Sequence, residues 1–127
     1  MEILNVIVAG AAAWVFGAIW YMRLGQAWMN AAGLTEGDIN PRDPLPYIVS
    51  LIGAVVVAGM MRHVMASSGI ITIGGGLMVG LGLGLFMVLP WMINNVLYSN
   101  RSRSLIWMDG GYAVLGSTII GVVLQLF

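Results

Sequence analysis

Asp109 is the residue from which chemistry could start. It follows Leu105-Ile106-Trp107-Met108 and precedes Gly110-Gly111, inside an apolar run. An acid in such a run is costly to bury and has to face protein or water. Three roles suit it: a proton or cation site, a hydrogen-bonded carboxylate that locks helices together, or a near-interface acid that snorkels to water, the last two together being the commoner. A lone buried charge would shift its pKa and neutralise instead, so partners are expected from chain segments at the same membrane face. Arg23 is the first candidate, followed by Asn94 and Asn95, with Tyr21 and Trp20 as further donors. The asparagine pair has a second use as helix glue, worth about 0.6–2 kcal/mol per interhelical contact.

Little other chemistry can be assembled. With no cysteine there is no disulfide, thiol nucleophile or thiolate metal site. A single histidine and the absence of lysine remove multi-histidine metal sites and Schiff-base catalysis. Glu36, Asp38 and Asp43 belong to a polar connection, and no paired carboxylates or Ser-His pair can be drawn, so enzymatic activity is not expected. Gly74, Gly75 and Gly76 lie in an apolar run with no lysine after them, which is the wrong context for a phosphate loop. The ten methionines are scattered and define no copper site. No metal and no cofactor is therefore expected. A net charge of zero argues against a nucleic-acid partner.

These residues must be positioned by membrane helices. Hydrophobic residues make up 60% of the 127-residue chain and charged residues 8%, against roughly 45–50% and 25% in soluble domains. Spanning a bilayer takes roughly 20 apolar residues. Four such runs are present, at about residues 3–22, 47–65, 70–98 and 105–126. None alternates in the manner of barrel strands. The first is too long for a signal-peptide core and lacks a basic start. The expected fold is an all-α membrane protein, a single four-transmembrane-helix bundle.

The connection from Arg23 to Pro46 carries Pro41, Pro44 and Pro46, which forbid a helix through its second half. Leu24, Trp28 and Ala31 share a helical face before Gly33, a natural C′ residue. This predicts a short interfacial helix over 24–32, with Trp28 at headgroup level. Thr35 is placed to cap a turn containing Glu36 and Asp38. Arg62, Trp91 and Trp107 read as further interface anchors. His63 could sense pH, although its place beside Arg62 suits an anchor or cap. Pro90 predicts a kink, since it removes a donor and clashes with the Phe86 carbonyl. The first and third connections carry Arg23, Arg42, Arg101 and Arg103, against Arg62 on the other side. This bias puts those connections in the cytoplasm and both termini outside.

Helices in lipid associate through close packing and interhelical hydrogen bonds. Gly76, Gly80 and Gly84 form a groove in the third span. Ala9, Ala13 and Gly17 repeat the pattern in the first, and Ala113, Ser117 and Gly121 in the fourth. Ala54 and Ala58 mark the second. Packing within the chain is the first use of these stripes, and self-association the second.

Four segments carry a resemblance: Gly17-Ala18-Ile19-Trp20-Tyr21, Gly25-Gln26-Ala27-Trp28-Met29, Gly33-Leu34-Thr35-Glu36 and Asp109-Gly110-Gly111-Tyr112. The chain resembles the small bacterial four-helix inner-membrane proteins of domain-of-unknown-function family 1761, over nearly its whole length. The resemblance implies a four-span architecture in the bacterial inner membrane and no particular activity. It marks Trp20, Tyr21, Gly25, Trp28 and Asp109 as site candidates by location. The leading functional expectation is a non-enzymatic accessory or self-assembling membrane subunit. Its partners would be the lipid bilayer and either further copies of itself or a larger membrane complex. The alternative is a small transporter or channel subunit using Asp109 near the cytoplasmic side.

Overall fold

The computed structural model describes residues 2–40 and 42–127. Pro41, one of the three prolines of the long connection, lies outside the described residues. The chain forms α1 (Glu2–Ala32), a 3-10 turn (Glu36–Asp38), α2 (Leu45–Ser67), α3 (Ile73–Leu83), a π-helical segment (Gly84–Val88), α4 (Leu89–Tyr98) and α5 (Ser104–Leu124). Four helical stretches are long and apolar enough to cross a membrane: Ile3–Ala32, Leu45–Ser67, Ile73–Tyr98 and Ser104–Leu124. Among the described residues there is no strand.

The first helix runs past the expected boundary. The 24–32 segment is helical, as its periodicity predicts, but it continues α1 instead of forming a separate interfacial helix. Nothing between Tyr21 and Ala32 breaks a helix except Gly25, whose cost is about 1 kcal/mol. At 31 residues, α1 is about 46 Å long, well beyond a hydrocarbon core of about 30 Å.

Helix ends follow local chemistry. Gly33 adopts φ +74°, and Leu34 N–H donates to the Met29 carbonyl at 2.9 Å, closing a Schellman turn. The same closure recurs after α2, where Gly69 has φ +72° and Ile70 N–H meets the Met65 carbonyl at 2.9 Å. Thr35 contributes its backbone N–H and its hydroxyl to the Asp38 carboxylate at 2.8 and 3.0 Å. These bonds hold the Asp38 carboxyl below the ordinary aspartate range. Pro46 falls in the first turn of α2, where its missing N–H has no intrahelical acceptor to lose. Thr72 caps α3 by accepting the Gly75 N–H at 2.9 Å. At Pro90 the lost bond is absorbed by the π-helical segment just before it, with Leu89 N–H reaching back five residues to the Gly84 carbonyl.

α5 is central. It packs against α1 on one side and α3 on the other, while α2 lies mainly on α1. The α3–α5 seam is built from backbone. A Cβ on Gly76 would strike the Gly121 carbonyl, and one on Gly80 would strike the Ser117 carbonyl. Gly84 faces Ser117 and Val114. Ala13 and Gly17 are buried on α1, and Ala113 lies on the α5 face that meets Gly84. Val55 of α2 sits where Gly10 lacks a side chain.

The two ends of the bundle differ. Ala9, Ala13, Ala58, Met61, Met65, Ile120 and Leu124 form the buried apolar core. This core lies toward the end holding both termini and the α2–α3 turn, where Gln125 Nε2 donates to the Ile70 carbonyl at 3.3 Å. Arg62 is half-buried and His63 exposed at this end. The opposite end is filled by aromatic rings and polar groups.

Candidate functional site

The helical repeat of α1 sets one wall of this second end. Gly17, Tyr21, Gly25 and Trp28 recur at intervals of three to four residues and share a face. α5 supplies Asp109 and Tyr112, one turn apart on the opposing face. Gly17 gives Tyr112 room, since a Cβ there would sit 2.9 Å from the Tyr112 Cζ. Gly111 does the same for Trp20, whose Cζ2 would lie 2.8 Å from an added Cβ. The helices can thus approach with large rings between them.

The Tyr21 hydroxyl donates to Asp109 Oδ1 at 2.6 Å, and Trp28 Nε1 donates to the same oxygen at 3.0 Å. Trp20 Nε1 donates to the Met108 carbonyl at 2.9 Å. Ring packing fixes the donors. Tyr21 meets Trp28 at 83° with centroids 6.3 Å apart, and Tyr112 at 67° and 5.6 Å. Phe16 stacks on Tyr112 at 6.2 Å and leans on Trp20 at 5.7 Å. Among the described residues no donor reaches Asp109 Oδ2, so one carboxylate oxygen is held and the other is open.

Asp109 lines a cavity of about 670 Å³ between α1, the α1–α2 connection, the start of α2 and α5. Five aromatic residues stand in its wall: Trp14, Tyr21, Trp28, Tyr47 and Tyr112. Trp14 Nε1 donates to Ser50 Oγ at 3.0 Å, tying α1 to α2 along the cavity. Ser50 Oγ in turn donates to the Tyr47 carbonyl at 3.0 Å. Asn40 also lines the cavity, but its Oδ1 accepts the Arg42 N–H at 3.0 Å. Among the described residues, no arginine or histidine lines the cavity. The size falls within the usual 300–1,000 Å³ of small-molecule sites, and a mostly apolar wall with few polar groups is typical of them.

Of the partners expected for Asp109, Tyr21 binds it directly and Trp20 binds the preceding carbonyl. Arg23 does not join them. It is two residues from Tyr21, about 200° around the helix. It is exposed and lines a separate hollow of about 330 Å³ with Phe16, Ile19, Trp20, Leu24 and Trp107. Asn94 and Asn95 are exposed on α4, which turns Leu89, Met92, Ile93 and Val96 inward instead. Trp28, expected as a headgroup anchor, is a half-buried partner of the carboxylate. Trp91 and Trp107 are exposed. Tyr112, Trp14 and Tyr47 were not singled out from sequence as site residues. The available signal was the helical phase linking Gly17, Tyr21 and Trp28 into one continuous face. Among the described residues no group of three or more His, Cys, Asp or Glu could hold a metal ion.

Three of the four segments that carry the family resemblance supply this site: 17–21, 25–29 and 109–112. No curated protein matches the chain, and no solved structure does. The family described as "protein of unknown function (DUF1761)" matches residues 4–125. With that match reaching into all four helices long and apolar enough to cross a membrane, the chain belongs to family DUF1761.

Proposed function

We propose that this small membrane protein admits a ligand into the groove beside Asp109 and acts as a transport-type subunit. The observation that carries the reading is the divided carboxylate. Oδ1 is committed to Tyr21 and Trp28, whereas among the described residues Oδ2 has no donor, and the residue lines an open cavity. An oxygen left free beside a cavity can hold a ligand cation, which a helix lock does not need. This favours the transporter alternative over a purely structural subunit. The groove lies at the end holding the arginine-rich connections, which we assign to the cytoplasmic side of a bacterial inner membrane, with both termini outside. Cysteines at Ser102 and Ser68, labelled with an impermeant reagent on intact cells, test that assignment. Labelling at Ser68 with protection at Ser102 supports it, and the reverse overturns it.

The functional test is flux through reconstituted proteoliposomes, using protons, potassium and tetramethylammonium as probes. Flux above that of empty liposomes, lost in Asp109→Asn with helicity retained, supports the reading. No flux of any probe above that baseline overturns it. The accessory-subunit reading rests on a separate observation. α2 leaves Ile52, Val56 and Met60 exposed at four-residue intervals, a face open to lipid or to another copy. The oligomer mass in mild detergent tests it, a monomer counting against self-assembly.

A further inference from the structure

We infer that the groove is a site for an alkylammonium group, a quaternary or protonated amine with a small apolar surround. The inference rests on the reading that the groove takes a ligand, and it names that ligand's class.

The available hydrogen-bonding groups decide the charge. The indole N–H groups of Trp14 and Trp28 are both spent on protein acceptors. The Tyr21 hydroxyl donates to Asp109, the Ser50 hydroxyl donates to a backbone carbonyl, and the Asn40 oxygen accepts a backbone N–H. With no arginine or histidine in the wall, nothing there would compensate an anion. The Tyr47 and Tyr112 hydroxyls and the Asn40 amide N–H groups are also unspent, but they are neutral; among the described lining residues the one carboxylic acid is Asp109, whose Oδ2 is left to accept. The ligand that complements it is a cation.

The kind of cation follows from the rest of the wall. A hard metal ion replaces its hydration shell with several oxygen ligands. A single open carboxylate oxygen cannot do this, and among the described residues lining the groove there is no second acid. An alkylammonium ion is large and weakly hydrated, and it interacts with the faces of Trp and Tyr rings. Five such rings line the groove. Trp28 and Tyr112 stand at steep angles to Tyr21, 83° and 67°, as adjoining walls beside the carboxylate. The donors from Tyr21 and Trp28 hold Asp109 in place at the corner those rings make, with Oδ2 left for the ligand. Such a group could arrive as a soluble amine or as the headgroup of a choline or ethanolamine lipid, since the groove lies near the membrane face.

The test is equilibrium binding to the purified full chain in maltoside detergent, read by tryptophan fluorescence and calorimetry. The probes are tetramethylammonium and its uncharged counterpart neopentyl alcohol. Two short-chain lipids, dihexanoylphosphatidylcholine and dihexanoylphosphatidylglycerol, serve as further probes. Tetramethylammonium is expected to bind at least tenfold more tightly than neopentyl alcohol. Asp109→Asn keeps the shape and is expected to remove that preference. Tyr47→Leu changes a half-exposed ring with no side-chain hydrogen bond, so the fold should persist while affinity falls several-fold. Binding of the choline lipid alone, without the glycerol lipid or the free cation, supports the same chemistry and names a headgroup as its source. Equal binding of the cation and the alcohol, or a preference for the glycerol lipid, overturns the ammonium assignment while leaving a ligand groove. Binding of none of the four overturns the groove reading and this inference together.

Discussion

Replacing Gly80 with alanine adds one methyl group where two helix backbones meet. A Cβ at this position would overlap the Ser117 carbonyl oxygen and lie 2.8 Å from Thr118 Cα and 2.9 Å from the Ser117 carbonyl carbon. Carbon atoms prefer about 3.5–4.0 Å, so the shortfall approaches 1 Å. All three atoms are backbone and cannot swing aside as a side chain would. α3 and α5 must separate locally, loosening the seam that also contains Gly76–Gly121 and Gly84–Ser117. Overpacking of a tight interior costs about 1–3 kcal/mol, which outweighs the gain of up to about 1 kcal/mol from replacing a helical glycine. Gly82 is the internal control. It lies in the same helix with nothing within 4 Å of an added Cβ, so Gly82→Ala should gain that helix term without the clash. The helix gain is common to both, so the two variants should differ by the overpacking cost, about 1–3 kcal/mol, with Gly80→Ala the less stable. Reversible unfolding in mixed detergent–SDS micelles, followed by circular dichroism, measures the difference. Equal midpoints for Gly80→Ala and Gly82→Ala would refute the backbone seam.

Asp109→Asn should be tolerated, because an amide oxygen still accepts from Tyr21 and Trp28. Asp109→Leu strands both donors and should cost about 1–3 kcal/mol for each one left unpaired, read in the same unfolding assay; equal loss in the two variants would contradict this. Tyr21→Phe and Trp28→Phe should each cost about 0.6–2 kcal/mol, and the double variant should depart from additivity because both donors share Oδ1. Strict additivity in a double-mutant cycle would show that the two bonds are independent. The Asp38 carboxyl, lowered by the Thr35 N–H and hydroxyl, should titrate below the ordinary aspartate value. Its contribution to the 3-10 turn is thus complete above the unfolded-state pKa and lost as pH falls through the lowered one. An ordinary titration midpoint for Asp38 by carbon NMR would disprove the capping arrangement.

The membrane spans were legible because hydropathy runs are a local property of the chain, and the Schellman turn at Gly33 because a positive φ selects glycine. The partners of Asp109 were legible only in part. Membrane side can be read from helix ends, but azimuth cannot be read from charge. Arg23 is at the right depth on the wrong face, whereas Tyr21, two residues earlier, points at the carboxylate. The break expected near Arg23 came from the end of the hydropathy run, although leaving the hydrocarbon core does not end a helix. That single boundary hid Trp28, which reaches Asp109 only if α1 stays straight through Gly25. The placing of Tyr112 in the notch left by Gly17, and the groove itself, depend on how far apart α1, α2 and α5 stand. No local pattern encodes that distance. At Pro90 the missing donor was foreseen, and its accommodation by a π-helical segment required the neighbouring packing of Gly84 on Val114 and Ser117.

If the groove beside Asp109 is open to water and receives a cation held by that carboxylate, its lining must be reachable by a water-soluble reagent and shielded by the cation. Ala18 lines the groove and is small enough to replace with cysteine, and Val15 is exposed outside it. The rate at which a water-soluble maleimide labels each cysteine variant in proteoliposomes, with and without tetramethylammonium, tests this directly. Fast labelling is expected at Ala18→Cys and slow labelling at Val15→Cys. Tetramethylammonium should protect Ala18→Cys, and that protection should disappear when Asp109→Asn is added. Labelling at Ala18→Cys no faster than at Val15→Cys, or protection that survives Asp109→Asn, would contradict a water-filled cation groove.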